Sequence, residues 1–175
     1  MNKICLRMFV IVVYLVTGCS TIPTDDIETN TEVAPKANFK DYKTYAWLGA
    51  AAILNDPEGK WEPPQFDADA EITLIVDREL HSRGMTETAT NPDIYAAYAL
   101  GVNMDALKIK TDPQSRISVL ENVPQGALLI VLIDGKSGFV VWAGAATAEI
   151  KNLGSDVARQ RLNYAITDMF KKLPR

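Results

Sequence analysis

Seven consecutive apolar residues, Ala127 to Ile133 (ALLIVLI), run into Asp134-Gly135-Lys136-Ser137-Gly138, and the chain continues as Phe139 to Ile150 (FVVWAGAATAEI). A short apolar run closed by turn residues reads as a β-strand, and the second run returns as its hairpin partner. A strand apolar on both faces belongs in the middle of a sheet. The hairpin therefore commits the chain to building a sheet and burying it. Ala143, Gly144, Ala145 and Ala146 leave room on the return strand for something to pack closely.

The cover comes from two one-sided helices. Asp67 is a good N-cap for a helix to about Arg83, in which Ile72, Ile75, Val76 and Leu80 fall at helical spacing. Gly84 stops it, since glycine takes the left-handed conformation without strain. Ser155 is expected to cap a last helix with a stripe of Leu162, Ala165, Ile166, Met169, Phe170 and Leu173. Lys171 and Lys172 complement its C-terminal dipole.

Phe39 to Leu48 reads as a strand with Tyr45 and Trp47 on one face, and Ile94 to Val102 as another, after the turn Asn91-Pro92-Asp93. Gly49 to Gln65 reads as a long connection containing Trp61. Asn103 to Gln125 is open between one short helix and an extended edge strand carrying Ile117 and Val119. The expected fold is an α+β two-layer sandwich: a mixed four- to five-stranded sheet with two helices packed on one face.

The N-terminus is a separate object. Lys3 and Arg7 precede the apolar run Met8 to Val16, which is too short to span a bilayer and has the layout of a secretory signal over residues 1–18. Val16-Thr17-Gly18-Cys19 resembles the lipobox of bacterial lipoproteins, with Val in place of the more usual Leu. The resemblance implies recognition of Val16, Thr17 and Gly18 by a signal peptidase and acylation of Cys19, whose thiolate is the nucleophile. Ser20, by the same resemblance, implies sorting to the outer membrane of a Gram-negative host, facing the periplasm. Cys5 leaves with the signal, so no internal disulfide forms. The mature chain has sixteen basic and twenty-two acidic side chains, a net charge of −6. That charge gives no footprint for nucleic acid and no attraction to anionic headgroups. Residues 19–38, rich in Thr, Asp, Glu and Pro, read as a flexible tether, leaving 39–175 as the folded domain.

Four segments in order, Tyr42-Lys43-Thr44-Tyr45-Ala46-Trp47, Asn91-Pro92-Asp93-Ile94-Tyr95, Gly126-Ala127-Leu128-Leu129-Ile130 and Val140-Val141-Trp142-Ala143-Gly144, resemble the DUF4136 domain of bacterial envelope lipoproteins. The resemblance spans about Phe39 to Pro174. It implies a fold but no catalytic residues, the family having no known function.

The residues themselves offer little chemistry. His81 is the only histidine, and no G-x-S-x-G elbow presents a serine to it. Asp67, Asp69 and Glu71 suit the helix dipole better than a cation site. Gly135-Lys136-Ser137 mimics a phosphate loop, yet Ile130 stands where its first glycine belongs and a strand follows. Asp93 and Asp134 sit in turns, where Asp serves local hydrogen bonds. Tyr42, Tyr45, Trp47, Tyr95, Tyr98 and Trp142 read as sheet packing rather than a sugar-stacking surface. The expectation is a cofactor-free, non-enzymatic lipoprotein that binds or supports another envelope protein or a cell-wall component. Two rivals remain: a small hydrolase gathering His81 with an acid and a hydroxyl, and a carrier with a cavity for an apolar ligand between helices and sheet.

Overall fold

The computed structural model describes residues 22–111, 114, 116 and 118–174. The signal segment, Val16, Thr17, Gly18, Cys19, Ser20 and Ile117 lie outside the described residues. The elements are β1 (Glu28–Val33), β2 (Thr44–Asn55), α1 (Ala68–His81), β3 (Thr86–Glu87), β4 (Ile94–Asn103), β5 (Leu107–Thr111), β6 (Ser118–Asn122), β7 (Gln125–Asp134), β8 (Val140–Glu149) and α2 (Ser155–Lys171). Six strands form one mixed sheet in the order β1-β8-β7-β4-β2-β3, and β5-β6 form a separate ribbon. The class is the α+β one expected, with a wider sheet than four to five strands.

The β7–β8 hairpin is central as its apolar run required, and β4 pairs antiparallel with β7. The chain crosses over through α1 to place β4 parallel to β2. Residues on one sheet face meet the helices: Tyr45, Ile94, Ala96, Tyr98, Leu128, Ile130, Leu132 and Trp142 are buried there with Ile72, Ile75, Val76 and Leu80 of α1 and Ala165, Ile166, Met169 and Phe170 of α2. Gly144 lies beneath the Trp142 indole. A Cβ at that position would stand 2.5 Å from the ring and 3.1 Å from Met169 Sδ. The close packing allowed by the small residues of β8 is, at Gly144, this contact.

Asp67 caps α1 as expected, accepting from the Ala70 N–H at 3.0 Å. Gly84, at φ +80°, ends the turn after it, its N–H donating to the His81 carbonyl at 2.9 Å. At α2 the expected cap is corrected. Gly154 holds the N-cap position with no side-chain bond, and Ser155 is already the first helical residue.

Two further corrections concern strands, and one reading left open is decided in favour of extended structure. The stretch read as a tether contains β1, paired with β8 from Glu28 opposite Thr147 to Val33 opposite Trp142. Its half-buried residues are Thr29 and Thr31, and Thr29 donates to Asp168 on α2 at 2.5 Å, a hydrogen bond where a strand usually buries an apolar side chain. The domain thus begins before Phe39. The first expected strand, Phe39 to Leu48, starts instead at Thr44 and runs on to Asn55, with a bulge between Trp47 and Gly49. The start of the expected connection at Gly49 is therefore strand, because β4 supplies a ladder that alanines can follow. The open stretch 103–125 contains a hairpin, with Ile109 opposite Leu120.

Candidate functional site

The two sheet faces differ sharply. Opposite the helices, cross-strand rows run Ile53–Gly101–Ala127–Thr147–Glu28, Ala51–Ala99–Leu129–Ala145–Asn30 and Gly49–Ala97–Val131–Ala143–Glu32. Neither helix packs here, and the β5-β6 ribbon packs on itself. Leu129, Ala127, Ala145 and Ala51 are exposed. The result is a smooth surface of small apolar side chains, bordered on β1 by Glu28, Asn30 and Glu32. A strand as apolar on both faces as β7 needs a cover on each side, and this second sheet face has none within the described residues.

One end of the sheet carries a further apolar group. Asn55, Asn103, Gln125 and Glu149 stand side by side in register there, and β1 begins at the same end. The β5-β6 ribbon projects from it with Leu107, Ile109 and Leu120 65–72% exposed. On β2 nearby, Ile53 and Leu54 are 67% and 56% exposed. A side chain of this size left in water forgoes roughly 1.5–3 kcal/mol of burial.

The same end holds the most buried ion pair. Arg161 of α2 donates to Asp26 through both terminal nitrogens, at 2.9 and 2.7 Å. Lys151 Nζ donates to the same carboxylate at 2.7 Å, and the Glu149 N–H donates to it at 2.9 Å. Arg161 also donates to the Pro23 carbonyl. The Arg161 guanidinium, working against burial and aided by Lys151, holds the Asp26 carboxyl far below its ordinary range. Glu149 in turn faces the ribbon, its carboxylate 3.4 Å from Lys108 Nζ and 3.9 Å from Lys110 Nζ.

At the opposite end a polar knot joins three loops. Asp93 accepts from the Lys43 and Thr44 N–H groups at 2.9 and 3.0 Å and from the Thr44 hydroxyl at 3.0 Å. Asp134 accepts from the Lys136 and Ser137 N–H groups and from the Tyr42 hydroxyl. These bonds lower the Asp134 carboxyl to about 2, chiefly through Ser137, while burial and then Asp134 raise the Tyr42 phenol to about 12. Gly135-Lys136-Ser137 is thus the hairpin turn it was read to be.

The other singled-out residues are dispersed. His81 is exposed, its ring edge-on to Tyr45 at 5.8 Å. Asp69 accepts from the Tyr98 hydroxyl, and Glu71 lies 3.8 Å from Arg159. Asp77 gathers the Tyr45 hydroxyl at 2.8 Å and the Trp47 indole N–H at 2.9 Å. Tyr45, Trp47, Tyr98 and Trp142 serve the helix–sheet interface, Tyr42 joins the polar knot, and Tyr95 faces the open side. A surface hollow lined by Phe39, Lys40, Lys43, Ser82, Arg83, Met85 and Pro174 does not gather His81 with an acid and a hydroxyl. Among the described residues no cluster of three or more His, Cys, Asp or Glu side chains is placed to hold a metal ion, and no helix is long and apolar enough to cross a membrane. The ribbon and the Asp26–Arg161 clamp escaped sequence reasoning. Alternation of Leu107 and Ile109 with Lys108 and Lys110 was the signal available for the first; the second left none.

Comparison with known proteins places this geometry. The sequence profile of the family described as a domain of unknown function, DUF4136, matches residues 29–175. A DUF4136 family protein from Bacteroides thetaiotaomicron superposes with a TM-score of 0.52 at 14% identity, covering 82% of this chain and 96% of that one. A PDZ domain protein from Parabacteroides distasonis gives a TM-score of 0.52 at 14% identity, covering 84% of this chain and 36% of that chain, so this chain spans about a third of that protein's length. The PelC dodecamer from Paraburkholderia phytofirmans gives 0.44 at 16% identity, covering 82% and 97%. No curated protein sequence matches the chain.

Proposed function

From its membership of the DUF4136 family, to which this chain belongs, we propose that the protein is a lipid-anchored envelope lipoprotein. It is cut before Cys19, acylated there and held at the periplasmic side of a Gram-negative outer membrane, where it acts as a non-enzymatic binding or structural accessory. The observation that carries the binding role is the bare sheet face around Ala99, Leu129 and Ala145. A contiguous apolar surface left open on a soluble domain marks an interaction site. Its small side chains suit a broad, flat contact with another envelope protein or a cell-wall component. The lipobox supports the anchor, since two or more acyl chains hold firmly at about 0.8 kcal/mol per buried CH₂.

Two measurements test this reading. Intact mass and membrane fractionation of wild type beside Cys19→Ala should show acyl mass and membrane retention in the wild type alone. Unmodified, soluble wild type would refute the anchor. Photo-crosslinkers placed at Ala99, Leu129 and Ala145 should each trap the same envelope component, and a crosslinker at Leu74, exposed on α1, should not. Absence of any adduct from the open face, or turnover of a cell-wall or lipid substrate that depends on one side chain, would overturn the accessory role.

A further inference from the structure

We infer that the β5-β6 ribbon is a second membrane contact, seating Leu107, Ile109 and Leu120 in the phospholipid surface beside the lipid anchor. The inference rests on the acylation of Cys19 proposed above and goes beyond it, because it assigns a bilayer-touching surface to the folded domain itself.

The argument begins with where the chain enters the fold. Cys19 stands three residues before Ile22, the first described residue. Three residues of chain reach about 10 Å at most. The entry segment is not loose at that point: Arg161 grips the Pro23 carbonyl and the Asp26 carboxylate. An acylated Cys19 therefore brings one particular end of the sheet to the bilayer, the end where β1 begins.

That end is also where the ribbon projects. Glu149 joins the two, with its N–H on Asp26 and its carboxylate facing Lys108 and Lys110. Leu107, Ile109 and Leu120 share one face of the ribbon, since Ile109 is paired with Leu120 and Leu107 is two residues before Ile109. All three are mostly exposed, as are Ile53 and Leu54 at the end of β2. Apolar side chains at an interface sink about 5–10 Å into the boundary between headgroups and acyl chains. The short reach from the entry point keeps this end of the sheet within about 10 Å of the anchor. Leu107 and Ile109 alternate with Lys108 and Lys110 along β5, an apolar and a basic face on one strand. The lysines turn to Glu149, which leaves the apolar face to make the contact with lipid. A second copy of the chain is the competing occupant.

The acylated cysteine has no free thiol, so a cysteine introduced elsewhere carries a unique label. Ile109→Cys and Phe139→Cys, the latter 75% exposed at the opposite end of the sheet, are labelled with a polarity-sensitive fluorophore. Each acylated protein is then reconstituted into vesicles of phosphatidylethanolamine and phosphatidylglycerol. The expected result is a several-fold rise and a blue shift in emission at position 109, and none at 139. Acyl mass with a silent probe at 109 overturns the membrane contact alone. Absence of acyl mass overturns the anchor and this inference with it. Equal responses at both positions, or a response at 109 that grows with protein density at fixed lipid, overturn the contact in favour of a non-specific one or of a second copy.

Discussion

Replacing Asp26 with Asn should loosen the N-terminal strap and β1 before it unfolds the domain. The side chains of Asp26 and Arg161 are only 8–9% exposed, and the carboxylate accepts four hydrogen bonds from Arg161, Lys151 and the Glu149 amide. Removing one partner of a buried pair costs about 3–5 kcal/mol, because the other charge stays behind without compensation. Lys151 is more exposed and regains water, which sets the expectation at the lower figure, about 3 kcal/mol. The strap lies at a sheet edge, so part of the loss is relieved by peeling residues 22–33 from β8. Hydrogen exchange should therefore accelerate by about a hundredfold at the β1 amides, with a fall in Tm of about 6–12 °C if the opening is global. Charge matters as well as contact. The folded carboxyl is held below its ordinary 3.8, so its contribution is complete above that value and is lost as pH falls through the lower folded one. Wild type should lose stability below about pH 4, and Asp26→Asn should flatten that acid limb. A double-mutant cycle with Arg161→Ala isolates the pair. Additivity within about 0.5 kcal/mol, or unchanged exchange in β1, would refute the clamp.

Other positions give independent tests. Gly135→Ala places a Cβ against the Pro92 carbonyl, with the Asp93 carbonyl at 3.2 Å, and should cost about 1–3 kcal/mol in urea unfolding; an unchanged midpoint would show that the loop yields freely. Asp77→Ala removes the acceptor shared by Tyr45 and Trp47, and the loss of about 1–3 kcal/mol should appear in chemical denaturation with altered near-ultraviolet dichroism of Trp47. Retained stability would mean that water or a neighbour satisfies the Tyr45 hydroxyl. Gly144→Val should fail to fold or lose near-ultraviolet dichroism, because the Trp142 ring and Met169 occupy the space; a native spectrum would contradict the packing described.

What was legible in the sequence was what apolar period and turn chemistry write locally. Ala127 to Ile133 announced a central strand, Asp67 and Gly84 bounded α1, and the α2 stripe pointed to the sheet. What escaped was set by pairing across distance. β1 reads ETNTEV, with no apolar alternation, and is a strand because β8 offers a ladder and Asp168 offers Thr29 an acceptor. Ala50 to Asn55 looked like a connection because alanine is a poor strand former alone, yet β4 aligns it residue by residue. The Asp26–Arg161 clamp joins positions 135 residues apart, and nothing local records such a meeting. The open face follows from the same arithmetic, since strands apolar on both sides need two covers and the helices provide one.

The pairing of β1 with β8 also governs when the fold can finish. Glu28 waits for Thr147, and Asp26 waits for Arg161. Closing so long a loop adds little to the equilibrium cost, which grows only with the logarithm of its length, but contacts of such sequence separation form slowly. A chain emerging N-terminus first has its first strand ready and its partner still to come. The edge of the sheet that completes the domain is therefore the last to zip, and any fragment ending before β8 is left with an unpaired first strand and an unclaimed carboxylate.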